Sequence, residues 1–450
     1  MYVWLAVFVL QPGTASSQEP DSAGPSIVIH AGALLANPGQ PAMGPQTIVV
    51  RDGKIVAVQT GLRPAVDFGA DARLIDLSDK FVMPGLVDLH MHLAIIMDAS
   101  METAGSEARL ALSAAGFAKR LLEAGVTTVR DVGDNTGVTF ALRDAFAEGW
   151  VPGPRVFAAG RIVSRTGGHG AEPARPGELS YQPATCNGTE SCRRVVRENI
   201  ERGSDWIKVT VSGSGSELSG HADAAPILFD DEMKAIAESA RQAGRPIAAH
   251  AHSTAAINLA LASGVRTIEH GTYFDDRSVE LFKRNGAFLM PTTFVATFVR
   301  SNLDMIAGPA GKQRDELRQW TDDAMGTAGR AWRAGIRLGL GTDGGPSVGP
   351  DATAREVGLY VASGVPPAEA IKAATSNGAE ILGMADELGR IQPGYLADII
   401  AVDGNPVDDP AHLRNVAFVM RNGVVYKLDN AAPLPRPVDA DAAGSTVEVD

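Results

Sequence analysis

Residues 82–93 read VMPGLVDLHMHL, an apolar run with the composition of a buried strand that ends in two histidines separated by one methionine. A polar side chain at the end of a buried strand must find partners, because an unpaired polar group away from water costs a few kcal/mol. The period of two along a strand puts His90 and His92 on the same face. They are either two hydrogen-bonded core residues or two ligands aimed at one point.

Working outward, strand-like runs recur with regular spacing: FVMPGLVDLHMH, VTTVRDVG, PRVFAAG, DWIKVTVSG, RPIAAHAH, VRTIEHG, GAFLMPTT and IRLGLGTDGG. Helical patterns such as EARLALSAAGFAKRLLEAG, FDDEMKAIAESARQAG and STAAINLALASG separate several of them, each closed by glycine. Eight strands with intervening helices over about 260 residues match a (β/α)8 TIM barrel in length; a doubly wound open sheet is the alternative. Outside this stretch, TIVVRDGKIVAV (47–58) and VAFVMRNGVVYKL (416–428) each place an Asp-Gly or Asn-Gly pair between two strand-like runs, a type I′ hairpin signal. The expected fold is therefore α/β. Residues 81–385 form the barrel, and 25–80 plus 386–428 form a small β-sandwich domain built from both terminal segments.

Residues 1–24 begin with the short apolar run MYVWLAVFVL followed by small and polar residues, the pattern of a secretory leader without its basic start. Ten apolar residues are too few to span a bilayer, and no later stretch is longer, so no membrane span is expected. Cys186 and Cys192, the two cysteines, sit close together in CNGTESC. In an exported chain that suggests a small disulfide loop, and in a cytoplasmic one two free thiols. Secretion or export to a periplasm is the expectation, with a cytoplasmic enzyme as the alternative. The tail 429–450, rich in Ala, Pro and Asp, is expected to be disordered. A net charge of -13 argues against nucleic acid as a partner, since phosphate binding needs a basic surface.

In a barrel, chemistry sits at the carboxyl ends of the strands. There the sequence places His90 and His92 after the first strand, Lys208 in the fourth, His250 and His252 after the fifth, His270 after the sixth and Asp343 after the eighth. Of nine histidines, five end predicted core strands. An isolated HxH is more often structural than ligating, but joined to His270 and Asp343 it points to a metal with open coordination positions. Zinc is the default for imidazole and carboxylate, and manganese or cobalt would fit similar ligands. Lys208 reads on its own as a snorkelling lysine. Burial would depress its pKa and give a neutral amine able to react with carbon dioxide, and the resulting carbamate has two oxygens able to bridge two metals.

These residues resemble the metal-dependent amidohydrolase superfamily. The resemblance runs from about Ile27 to Leu428 and rests on VMPGLVDLHMHL, GVTTVRDVG, TGGHG (166–170), DWIKV, AAHAHS, TIEHG, LGTDGG and the late run ATSNGAEILGMADELGRIQPGYLADIIAVDGNP. It is greatest to the branch containing Xaa-Pro and Xaa-Arg dipeptidases and ochratoxin-hydrolysing amidases. What it implies is a binuclear site. One divalent ion takes His90, His92 and Asp343 and the other His250 and His270, with carboxylated Lys208 and a hydroxide bridging them. His252 shares a face with His250, so either can be the ligand; His250, nearer the strand, is assigned, and His252 becomes a substrate contact. The implied reaction is hydrolysis of a small-molecule amide or peptide by the bridging hydroxide, with Asp343 accepting its proton and returning it to the leaving amine.

His169 in TGGHG is expected to contact substrate or stabilise the oxyanion, against a loop-capping role, and Tyr273 to bind a substrate carboxylate. The loop SGSGSELSG (212–220) is expected at the mouth, against an ordinary linker. Because relatives commonly assemble, a homo-oligomer is expected. Three rivals stand. A mononuclear deaminase would carry a glutamate three residues after the fifth-strand histidine, where this chain has Ser253, and leaves Lys208 unexplained. A cyclic-amide hydrolase would use the same lysine-bridged site. A non-catalytic scaffold would have no reason to retain every ligand.

Overall fold

A computed structural model describes residues 24–94, 106–171, 184–214 and 221–429. The leader up to residue 23, residues 430–450 of the tail and residues 215–220 of the serine-glycine loop lie outside the described residues. Seventeen strands follow in order: β1 (Ile27–Leu34), β2 (Gln46–Arg51), β3 (Lys54–Thr60), β4 (Arg73–Pro84), β5 (Leu86–Met91), β6 (Val126–Asp131), β7 (Arg155–Ala158), β8 (Val163–Ser164), β9 (Ala184–Thr185), β10 (Ile207–Thr210), β11 (Ile247–Ala251), β12 (Thr267–His270), β13 (Phe288–Met290), β14 (Arg337–Leu338), β15 (Ile399–Val402), β16 (Val416–Arg421) and β17 (Val424–Leu428).

The two ends of the chain build one sheet in the order β17-β16-β15-β4-β1-β2-β3. Both expected hairpins are present, with Asp52 and Gly53 at φ 49 and 76 and Asn422 and Gly423 at φ 54 and 76, the left-handed pair that a type I′ turn requires. The sheet curls until these tips meet: the Gly53 carbonyl accepts from Ala397 N–H (2.8 Å), whose own carbonyl accepts from Gly423 N–H (3.1 Å). Inside the curl lie Ile29, Ile48, Val50, Ile75, Phe418 and Met420, among others. Each fully buried aliphatic or aromatic side chain of this kind stabilises the fold by about 1.5–3 kcal/mol.

β4 carries the chain from this sheet to the other domain. Its residues Phe81–Pro84 pair with β15, and one residue later β5 begins. The eight strands expected from the sequence close into a barrel. β5-β6-β7 form one arc and β14-β13-β12-β11-β10-β8 the other, all parallel. The third expected strand is split into β7, paired to β6, and β8, paired to β10; Asp205 N–H reaches the Ala158 carbonyl (2.8 Å) across that seam. At the other seam Leu89 N–H bonds the Leu340 carbonyl and Asp343 N–H the His90 carbonyl, both at 2.8 Å. Close approach there requires glycine: a Cβ on Gly341 would lie 2.5 Å from the His90 Cβ.

Helices on the outside connect most of the strands, and the starts of three are chemically marked. Ser106 caps Glu107–Glu123, Ser253 caps Thr254–Ala262, and Asp275 with Ser278 forms a capping box on Asp276–Asn285. The connection after β13 differs, running through four helices, Thr293–Ser301, Leu303–Ala307, Lys312–Met325 and Thr327–Ala334. Cys186 and Cys192 are joined as a disulfide, and Cys186 N–H bonds the Ser164 carbonyl (2.8 Å), tying the loop to β8. Among the described residues no helix is long and apolar enough to cross a membrane.

Candidate metal centre

Alternation along the parallel strands sends even residues of β10 and β11 into the barrel and odd residues of β12, whereas β5 is irregular between Asp88 and Met91, so that Asp88 reaches the outer helix at Thr353 while His90 turns inward to Glu269. His90 and Lys208 therefore face inward with His250 and Glu269, which pair in register. His270 follows Glu269 and would point outward if the strand stayed extended. Instead its backbone turns left-handed at φ 69, as do Thr292 (φ 51) and Asp343 (φ 56) just past their strands. Such a conformation costs a non-glycine residue about 1–3 kcal/mol and persists where surroundings enforce it, typically at functional sites.

The result is a cavity of about 220 Å³ at the carboxyl end of the barrel, lined by His90, His92, His169, Lys208, His250, His252, His270 and Asp343. Ring centroids of neighbouring histidines lie 4.5–5.4 Å apart. Tyr273 is not brought into this lining; its hydroxyl donates to Asp323 (3.2 Å). His169, half-buried, sits 4.6 Å from the His250 ring.

Each of the five strand-end histidines uses one ring nitrogen on the protein. His90 Nδ1 meets Glu269 Oε2 (2.8 Å), His92 Nδ1 the Gly133 carbonyl (3.1 Å), His250 Nε2 the Gly213 carbonyl (3.0 Å), His252 Nδ1 the Thr272 hydroxyl (2.8 Å) and His270 Nδ1 the Thr292 hydroxyl (2.7 Å). Carbonyls and carboxylates only accept, so His90, His92 and His250 donate there and leave the opposite nitrogen bare. The Thr292 hydroxyl donates to the Pro291 carbonyl (2.8 Å), so His270 must donate to it as well and keeps Nε2 bare. His252 differs: its Nδ1 also faces the indole N–H of Trp320 at 3.4 Å, a partner that asks it to accept.

Electrostatics keep most of these rings neutral. Burial, followed by the Lys208 charge, lowers the His90 pKa to about 4, against the pull of Asp343 and Glu269. Burial takes His252 down to about 3 and, with the neighbouring imidazoles, holds His250 and His270 well below the usual range. His92 is raised: burial opposes this, but the hydrogen bond to Asp343 and the charges of Asp343 and Asp131 together outweigh it. Burial lowers Lys208 to about 8. Asp343 stays ionised: burial opposes this, but His90, His92 and Lys208 hold its carboxyl far below the usual range.

A bare Nε2 cannot rest against a carboxylate oxygen without a positive charge between or on them. Yet His90 and His92 bring Nε2 to 3.4 Å and 3.2 Å from the same Asp343 Oδ1. Neutral imidazoles and a carboxylate in that arrangement fit a divalent cation, and carboxylate–histidine contacts such as Glu269 to His90 are how metal-binding rings are held in one tautomer. Two groups have ligand atoms all within 4.8 Å of one another, His90 with His270 and Asp343, and His250 with His252 and His270. Lys208 lines the same cavity.

Residues missed by the sequence reading brace this centre from beneath. Glu269 Oε1 accepts from Arg130 Nη2 (2.8 Å), and Arg130, fully buried over the Trp206 ring at 4.4 Å, also donates to the Leu89 carbonyl (2.6 Å). Asp88 accepts from His90 N–H, Thr342 and Thr353, locking β5 to the segment bearing Asp343. Glu356, three residues after Thr353 on the helix Ala352–Ala362, accepts from the N–H groups of Thr293 (2.7 Å) and Phe294 (2.5 Å), beside Thr292. The available signal was opposite charges, Arg130 and Glu269, inside two apolar strands.

Comparison with known proteins agrees with this construction. Residues 81–428 match the model of the amidohydrolase family. The chain is 32% identical to ochratoxinase of Aspergillus niger over 444 residues, covering 90% of this chain and 88% of that protein. The structure of A. niger ochratoxinase superposes with a TM-score of 0.79 at 29% identity, over 92% of this chain and 98% of that one. A Xaa-Pro dipeptidase with methionine bound in its active site superposes with a TM-score of 0.81 at 31% identity, over 89% of this chain and all of the other. The chain belongs to the amidohydrolase family.

Proposed function

We propose that the chain, a hydrolase of amide and peptide C–N bonds, holds two divalent ions, zinc by default, and cleaves the bond to a C-terminal amino acid in a dipeptide, N-acyl amino acid or ochratoxin-type amide. The single observation that carries this is the convergence of the Nε2 atoms of His90 and His92 on one Asp343 oxygen. His90, His92 and Asp343 would hold one ion, His250 and His270 the other, with carboxylated Lys208 between. His250 is preferred over His252 because its outer nitrogen donates to Gly213 while His252 is served by Trp320. Bound there, the ions would supply Lewis acidity at the scissile carbonyl and lower the pKa of a bound water.

The remaining steps fall to the chain's own groups. Asp343 Oδ1 is engaged with both rings, but its side chain is 24% exposed to the cavity. Its second oxygen takes the proton from the attacking water and passes it to the amine nitrogen as the C–N bond breaks. His169 and His252 border the substrate. The methionine held by the related dipeptidase supports a site for an amino acid product. Ser253, where the deaminase branch carries its glutamate, instead caps the following helix, which favours amide hydrolysis over deamination.

The test is a panel of dipeptides, N-acyl amino acids and an ochratoxin-type amide differing in the C-terminal residue, assayed with metal-loaded and chelator-treated protein. Metal-dependent release of a C-terminal amino acid is expected; release of ammonia from a ring substrate, or hydrolysis indifferent to chelation, would refute the reading. Export of the chain and assembly into a homo-oligomer belong to the same proposal, with the bonded cysteine pair as support for export. Cell fractionation and light scattering check them.

A further inference from the structure

Adjoining the histidines the cavity has a second, chemically different wall. Val295, Val299, Ile306, Leu317 and Trp320 line it, and all five come from three successive helices of the connection after β13. Loops at this end of a barrel set specificity, and one that folds into its own helices is a built element. Here the helices pack on one another through Ala296, Leu303, Leu317, Trp320 and Ala324, and Arg300 ties two of them by an ion pair to Asp322 (2.7 Å). Glu356 clamps the start of the first helix, next to the Thr292 that orients His270. The apolar wall and a ring of the metal centre therefore stand on one rigid support.

The wall's exposure argues that it serves a ligand. Ile306 is 45% exposed at the rim while its side chain lines the cavity, and Met305 beside it is 74% exposed. Trp320 turns its indole toward His252, with ring centroids 5.8 Å apart. An indole buries a large apolar area while its N–H keeps a partner, and tryptophan is among the side chains most enriched at binding hot spots.

We propose that this wall selects substrates in which the group flanking the scissile amide is aromatic or branched aliphatic, with Trp320 as the principal specificity contact. The inference rests on the amide-hydrolysis reading. Such a group gains by leaving water against Trp320, Leu317 and the two valines, whereas a charged group would be desolvated there without a partner among the described wall residues.

The test reads binding apart from turnover. Metal-loaded protein is titrated calorimetrically with phenylalanine, leucine, aspartate and glycine, and the kcat/KM ratio of phenylalanine- to glycine-containing dipeptides is measured in parallel. Phenylalanine and leucine should bind at least about tenfold tighter than aspartate and glycine, and Trp320→Ala should collapse that difference. Because Trp320 also packs among the helices, Ile306→Lys at the exposed rim is the second variant, expected to weaken phenylalanine and strengthen aspartate. Equal affinities, a preference for aspartate, or an order unchanged in both variants would overturn the proposal. If the binding order holds but no dipeptide is cleaved, the amide reading fails and the wall stands; if dipeptides are cleaved without such an order, the wall alone fails.

Discussion

Replacing Glu269 by glutamine changes one atom and should cost the enzyme its grip on metal. In the native protein Oε2 accepts from His90 Nδ1 at 2.8 Å and Oε1 accepts from Arg130 at 2.8 Å. Glutamine keeps an oxygen for Arg130 and the Thr267 hydroxyl, which fixes its amide nitrogen toward His90. That N–H2 group only donates, so His90 must present a bare Nδ1 to it and carry its proton on Nε2, the atom facing Asp343. The ring then has no lone pair for an ion. Loss of such a supporting contact typically lowers metal affinity about 10–100-fold. The change also removes the charge that holds Arg130, which is fully buried. Breaking a buried pair costs about 3–5 kcal/mol, and because glutamine keeps one hydrogen bond the lower end is expected. Chelator competition gives the affinity and urea unfolding the stability, with Glu380→Gln as control. Glu380 pairs with Arg337 at the half-exposed far end of the barrel, where a salt bridge is worth about 0–1 kcal/mol. Metal affinity within twofold of the native value in Glu269→Gln would refute the tautomer argument.

Lys208 carboxylation requires the neutral amine, and burial puts its pKa at about 8. The neutral fraction should therefore rise about tenfold from pH 7 to pH 9, and reconstitution of metal-free protein with zinc at a fixed concentration of dissolved carbon dioxide should accelerate accordingly, checked by activity recovery over time. Gly341→Ala would press a methyl group 2.5 Å from the His90 Cβ, so thermal unfolding should show a loss of about 1–3 kcal/mol and metal titration a weakened site. Reduction of Cys186–Cys192, or a double serine variant, opens a short loop and should cost about 2 kcal/mol in urea unfolding while leaving metal content unchanged.

The eight barrel strands were legible because each is a short apolar run, and five of them carry a polar residue at or near the end that a core does not hold unless chemistry needs it. The hairpins were legible because Asp-Gly and Asn-Gly permit two consecutive left-handed residues. His270 shows where such reading stops. Alternation alone puts Glu269 inward and His270 outward, and only the left-handed backbone at His270 brings both into the barrel. Arg130 and Glu269 are far apart in sequence and meet only once the strands are arranged, so their brace could not be read from either segment. The same holds for Glu356, which looks like a helix-surface carboxylate until its partners at Thr293 and Phe294 are known. Tyr273 follows His270 closely in sequence, yet the turn after β12 directs its hydroxyl to Asp323 and away from the cavity lining.

The central claim is that two ions share this cavity and act together on an amide. Metal-free protein titrated with zinc in the presence of bicarbonate, with dipeptide hydrolysis followed at each addition, tests it most directly. The account predicts that activity rises to its maximum at two equivalents of zinc per chain and that Lys208→Ala binds less than two and turns over little. Full activity at one equivalent, or a Lys208→Ala protein with full metal content and undiminished hydrolysis, would contradict it.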